Sequence, residues 1–412
     1  MANPSLGIRS EECLEIIATE NCKGEKVNKL NRFESRARPN ARLISAFGIN
    51  NSFTTTDQSR ASSFRGQIAG IVTIPFQTTE KGEKLVLGWI DLVEKARGVI
   101  QRELNGAKQS HSLVDVLQMT TMKMSLQVLF GIDAEDLDRD RDIRALASWV
   151  NEQWIRSKYF EDGSIEDPWH FSNQHDIHDL LRHISPVLLS DLGDNPDNPL
   201  NRILPGYETL WRIVLRCLVE VASNRHSIED RRLWQTILQR FAENPSIVPL
   251  DKKDQGISAG IIASEALRLY PPYRHIYRTY EVGTQQFERI AGVEECHRSD
   301  PRWGPDPTKF LPSRWASLPD LTETQAMNDY FLAFGAAPFQ CPAATRIPNT
   351  DKSSLDKTYL PFSISMIALL VGLFTKEMSN KWKLTGSAEL ESASEPLTAS
   401  RRDYKDLIFE KI

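Results

Sequence analysis

The stretch Phe331-Leu-Ala-Phe-Gly-Ala-Ala-Pro-Phe-Gln-Cys341-Pro-Ala constrains this chain more than any other. A lone cysteine follows a tight run of small residues and a proline, with apolar Phe334 and Phe339 nearby. Such a loop walls a thiolate off from water while leaving backbone N–H groups free to point at the sulfur. Hydrogen bonds to sulfur and a low dielectric are what tune an iron-ligating thiolate. Taken alone, the same text also describes a buried free cysteine in a turn. The rest of the chain decides between the two.

With 412 residues, 40% hydrophobic and 25% charged, the chain can bury a sizeable core. A net charge of −5 and a pI near 6.0 argue against general nucleic-acid binding. Five cysteines (Cys13, Cys22, Cys217, Cys296, Cys341) are scattered, odd in number and without zinc-type pair spacing. They point to a reducing compartment rather than a disulfide framework. The opening Met1-Ala-Asn-Pro-Ser-Leu-Gly-Ile-Arg-Ser-Glu-Glu has no apolar core, so neither signal peptide nor anchor is expected. The longest apolar run, Ile364 to Phe374, falls short of the roughly 20 residues a membrane span needs and reads as a core helix.

Periodicity is mostly helical. Residues 1–50 are polar and give no firm signal. Helices are predicted over Lys84–Leu104, from Ser112 as N-cap to Phe130-Gly131, around Ile143–Phe160 and over His175–Ser190. Asp191-Leu-Gly-Asp-Asn-Pro-Asp-Asn-Pro199 is a turn cluster. His175 and His178 share a helix face without ligand-spaced partners and read as surface histidines. Leu210, Ile213, Val214, Cys217, Leu218 and Val221 stripe one face of a long helix. A helix over Ser258–Leu269 ends at Pro271-Pro272, and residues 273–325 are loop-rich with a strand near Tyr277–Val282. The expected fold is mainly α with small β-sheets.

Four motifs stand in order. Pro205-Gly-Tyr-Glu-Thr-Leu210 sets an acid, Glu208, and a hydroxyl, Thr209, at a helix kink or start. Ser264-Glu-Ala-Leu-Arg-Leu puts Glu265 and Arg268 on one helix face. Arg278 follows the Pro-Pro turn. A proline-stiffened loop from His297 to Trp315 carries Arg314, within reach of the Glu265–Arg268 pair to form a buried charge network.

This order resembles the cytochrome P-450 family of haem-thiolate monooxygenases, and its fungal secondary-metabolism members most. The resemblance covers residues 51–412 as a single haem domain. It leaves 1–50 as a poorly defined N-terminal segment, with the N-terminal β region largely missing. It implies that Cys341 is the axial ligand of a haem b iron. Glu265, Arg268 and Arg314 match the structural triad, Glu208 and Thr209 the proton-relaying acid and alcohol, and Arg278 and Arg65 the cations for haem propionates. It further implies O2, a small organic substrate and a reductase that supplies electrons from NADPH, since no nucleotide-binding glycine motif follows a strand here. A cytoplasmic site, or one peripheral to the endoplasmic reticulum, goes with it. Two other readings remain open: a haem-binding protein without turnover, and a haem-thiolate isomerase or coupling enzyme.

The chain departs from the family pattern at several points. Ala337 replaces a glycine, Phe339 the basic residue two before the cysteine, Ala343 the glycine two after, and Ala61 the partner expected before Arg65. Without a cation at Phe339, haem retention is expected to lean on Arg278 and Arg65. A polar stretch, Thr345 to Tyr359, separates Cys341 from the apolar helix that follows.

Overall fold

The computed structural model describes residues 10–19, 28–81, 84–104, 109–159, 168–184, 198–317, 331–344, 360–379, 381–386, 390, 395–400 and 404–412. The polar opening text folds into three helices, α1 (Ser10–Ala18), α2 (Arg32–Asn40) and α3 (Arg42–Phe47). A capping box starts α2: Asn31 Oδ1 accepts the Glu34 N–H at 3.0 Å, and Glu34 accepts the Asn31 N–H at 2.9 Å. After α4 (Gln58–Val72) comes an antiparallel pair, β1 (Thr79–Lys81) and β2 (Lys84–Val86). The helix expected from Lys84 therefore begins later, as α5 (Trp89–Leu104). Leu85 and Leu87 are spaced by two, which is a strand period and not a helical one.

Strand β3 (Ser110–Ser112) leads into α6 (Leu113–Phe130), where Ser112 Oγ accepts the Asp115 N–H at 3.3 Å and Gly131 stops the helix at φ +72°. Next are α7 (Asp140–Arg156) and α8 (His175–Ile184). Most of the Asp191–Pro199 turn cluster, like Cys22 and the Thr345–Tyr359 stretch, lies outside the described residues. The long helix then runs as α9 (Leu200–Ile203), one π-helical turn over Leu204–Glu208, and α10 (Thr209–Ala222).

Then follow α11 (Ile228–Glu243), α12 (Ile247–Asp251) and α13 (Ala259–Leu269). The loop-rich reading of 273–325 gives way to a hairpin, β4 (His275–Val282) and β5 (Gln285–Gly292), and a helix, α14 (Val293–Ser299). The chain closes with α15 (Phe362–Met378), β6 (Trp382–Thr385) and β7 (Ile408–Lys411). β7 pairs antiparallel with both β3 and β6.

The core is built around α15, which packs against α5, α10, α11 and α13. Its residues from Ser365 to Thr375 are all buried, as an all-apolar helix requires. Gly372 permits the close approach to α11: a Cβ there would stand 2.4 Å from the Leu238 carbonyl oxygen. A second, smaller core joins Cys13, Ile16 and Ile17 of α1 to Ala291, Val293, Cys296, Leu332 and Ala336. Among the described residues no helix is long and apolar enough to cross a membrane.

Candidate active site

Glu265 and Arg268, one helical turn apart on α13, are both fully buried. Arg268 grips the carboxylate with two bonds, Nε to Oε2 at 2.8 Å and Nη2 to Oε1 at 2.9 Å. Arg314 Nε adds a third at 3.0 Å, Trp315 Nε1 a fourth at 2.8 Å and the Leu311 N–H a fifth at 2.9 Å. The remaining guanidinium donors go to carbonyls: Arg268 to His297, Pro307 and Lys309, Arg314 to Trp303, Pro305, Asp306 and Lys309. Two cations thus fold the whole 303–315 loop around one anion.

His297, which sequence reasoning singles out only as the loop's first residue, extends this network. Its Nδ1 lies 2.9 Å from the Arg268 carbonyl oxygen, and its Nε2 accepts the Leu332 N–H at 2.9 Å. Those partners fix the neutral ring with hydrogen on Nδ1. The network therefore reaches the first turn of the cysteine loop.

In that loop the positive φ falls on Gly335 (+70°), and Ala337 stays out of that region. The Cys341 N–H donates to the Phe334 carbonyl at 2.9 Å. Burial pushes the Cys341 thiol up, while a backbone hydrogen bond from Ala343 and the Arg65 and Arg36 charges pull it down. Cys341 as a residue is half-buried, while its thiol is set deep enough in protein for burial to dominate its titration.

Three arginines converge here. Arg65 of α4 donates to the Pro338 carbonyl and, at 2.9 Å, to the Gln340 carbonyl. Arg278 of β4 is spent on Ile17 O (2.9 Å), Tyr277 O (2.8 Å) and Thr19 Oγ1 (3.2 Å). Arg36 of α2, which sequence reasoning misses, sits over the Phe339 ring at 4.7 Å and the Phe53 ring at 4.5 Å. Nothing in the spacing of Arg32, Arg36, Arg38 and Arg42 singles it out, because the contact is non-local. Burial pushes Arg36 down to about 9, with the Arg278 and Arg65 charges pushing the same way, and burial alone takes Arg278 to about 10. Among the described residues, none of the three pairs with a carboxylate.

Glu208 and Thr209 lie on a different wall. Pro205 is inside the helix and lacks the N–H that would meet the Asn201 carbonyl; the Asn51 side chain takes that carbonyl at 3.1 Å. Thr209 Oγ1 donates to Pro205 O at 2.8 Å, and buried Glu208 faces Arg212 at 3.8 Å. From Leu204 to Val221 every residue is buried except Pro205, Gly206 and Thr209, which are half-buried. α15 packs against both α10 and the turn Pro342–Ala344, so it is shared by the two walls.

No protein-family profile matches the chain, and no curated protein matches it in sequence. Solved structures do. A six-coordinated cytochrome P-450 from Thermus thermophilus superposes at TM-score 0.52 and 13% identity, over 93% of this chain and 88% of that one. A cytochrome P-450 from Chondromyces apiculatus gives 0.51 and 14%, over 98% and 88%. A structure from another strain of Thermus thermophilus gives 0.55 and 14%, over 97% and 87%. The chain has the cytochrome P-450 fold. On that fold a haem offers an iron to a thiolate and propionate carboxylates to cations. The residues present fit such a group: a half-buried cysteine whose sulfur accepts a backbone N–H, beside the buried Arg36 and Arg278 and half-buried Arg65, which lack any carboxylate of their own among the described residues. One of them, Arg36, leaves Nη1 buried and unpartnered.

Proposed function

We propose that this cytochrome P-450-like protein is a haem-thiolate monooxygenase that oxidises a small organic substrate. A tailoring step in secondary metabolism is the setting its resemblance favours. The balance is R–H, O2, two electrons and two protons going to R–OH and water, with the electrons from an NADPH-dependent reductase. Bound haem would supply the oxygen chemistry, with the thiolate favouring O–O cleavage.

The observation that carries this reading is the half-buried Cys341, whose sulfur sits near the Arg36 and Arg65 charges and accepts a backbone N–H from Ala343. Cys341 would hold the iron, and the cluster of Arg36, Arg65 and Arg278 would set the positive potential that the propionate edge meets. The Glu265–Arg268–Arg314 network and His297 keep the cysteine loop in place. Thr209 and Gly206 present a small surface at the π-turn, where the hydroxyl can leave Pro205 O for a ligand. Glu208 holds a proton-accepting carboxylate against Arg212, off to one side, so protons pass between it and Thr209 through water.

The test is spectroscopic. Haem-loaded protein reduced with dithionite and exposed to CO should give the red-shifted band of a thiolate ligand, and Cys341→Ala should not. A colourless wild type, or a band that survives in Cys341→Ala, overturns the assignment. A protein that only binds haem would show the band but no reductase-dependent NADPH consumption.

A further inference from the structure

Phe339 stands two residues before Cys341, where the P-450 pattern has a cation, and the structure shows what occupies that place. Phe339 is buried, its ring edge-on to Phe33 at 5.4 Å between centroids. Two guanidiniums sit on it, Arg36 at 4.7 Å and Arg278 at 5.1 Å. The ring is therefore a neutral platform that seats two like charges side by side.

Of these three cations, Arg36 alone leaves a buried Nη without a partner among the described residues, whereas Arg65 leaves only its inner Nε unmet. Arg65 spends both Nη groups on Pro338 and Gln340 carbonyls, and Arg278 spends Nε, Nη1 and Nη2 on Thr19, Tyr277 and Ile17. Arg36 makes no such bonds; it is 7% exposed and its Nη1 is buried without a partner. Leaving a guanidinium so placed is costly unless an anion arrives. Arginine is also not a group that escapes by losing its proton.

We propose that Arg36, carried by α2 and seated on Phe339, is the residue that binds a haem propionate in this chain. It thereby replaces the basic side chain missing from the cysteine loop. This rests on the haem-thiolate reading above and deepens it. The cation has moved from the loop to the N-terminal helix, and Arg65 and Arg278 brace main chain instead.

The test compares haem with haem dimethyl ester, whose carboxylates are blocked, in wild type, Arg36→Gln and Arg36→Lys. The readout is the rate at which each pigment leaves for excess apomyoglobin. Wild type should hold haem about tenfold longer than the ester, a charge-assisted bond being at stake. Arg36→Gln should lose haem about tenfold faster than wild type and should no longer distinguish haem from ester. Arg36→Lys should fall between, and it keeps the experiment decisive should the glutamine variant fail to fold. The haem-free melting temperature of Arg36→Gln should not drop, since a repelled charge is removed. Haem loss unchanged in both variants, or a haem-to-ester ratio the same as wild type, overturns the proposal. A wild type that shows no thiolate–CO band overturns the haem-thiolate reading itself.

Discussion

Glu265 carries an unusual load for one carboxylate. Its two oxygens accept five hydrogen bonds, from Arg268, Arg314, Trp315 and the Leu311 backbone. A carboxylate offers about four lone-pair sites, so the group is saturated. Glu265→Gln keeps the shape but turns an NH2 toward donors and strips the shared anion from two buried guanidiniums. The expected cost is about 3–5 kcal/mol, because removing one partner leaves uncompensated buried charge. The midpoint of denaturant unfolding measures it. A loss below about 1 kcal/mol, the range of exposed pairs, would mean that the carbonyls of the 303–315 loop hold both arginines unaided.

At the scale of elements, the interruption ahead of α10 is held by side chains from elsewhere. Pro205 frees the Asn201 carbonyl, and Asn51 takes it, while Asn201 Oδ1 in return accepts the Asn50 N–H at 2.7 Å. Asn51→Ala should cost about 1–3 kcal/mol by taking a buried side-chain donor from the Asn201 carbonyl. Pro205→Ala restores the missing N–H, so in its background Asn51→Ala should cost measurably less, a coupling that a double-mutant cycle in urea reads directly. Additive losses would show that the carbonyl finds water instead. The position of this helix was legible in its apolar stripe from Leu210 to Val221, and the kink in Pro205. That the freed carbonyl is met by Asn51 was not, because Asn51 stands 150 residues from Asn201 in sequence. The same limit explains Arg36, whose role exists only through its contact with Phe339. Lys84–Val86 is a different case, a short strand whose alternating Leu85 and Leu87 were absorbed into the window of the helix that follows. The cysteine loop and the Glu265, Arg268 and Arg314 trio were readable because their residue types are specific and their order fixed. The α1 contacts were hidden in polar text whose few apolar residues show no clear period.

Across the whole molecule, α1 is the piece that closes the cysteine side. Cys13, Ile16 and Ile17 bury against β5, α14 and the start of the loop. Ile17 serves three neighbours: its side chain fills the small core, its carbonyl binds Arg278 at 2.9 Å, and its Cγ2 stands 3.9 Å from the Cβ position of Gly335. Ile17→Ala should therefore act in two ways. Truncating a fully buried isoleucine costs about 2–5 kcal/mol. Because this core is small and separate, the loss should appear as local opening, with α1 amides exchanging hydrogen at least about thirtyfold faster while those of α15 hardly change. Once α1 opens, Arg278 loses the Ile17 carbonyl and the Thr19 hydroxyl together and with them its seat on the Phe339 ring beside Arg36, so haem should leave faster in step with the α1 exchange rate. Equal acceleration of exchange in α1 and α15 would mean that the two cores unfold as one. Faster α1 opening with unchanged haem loss would mean that Arg278 stays in place without that helix.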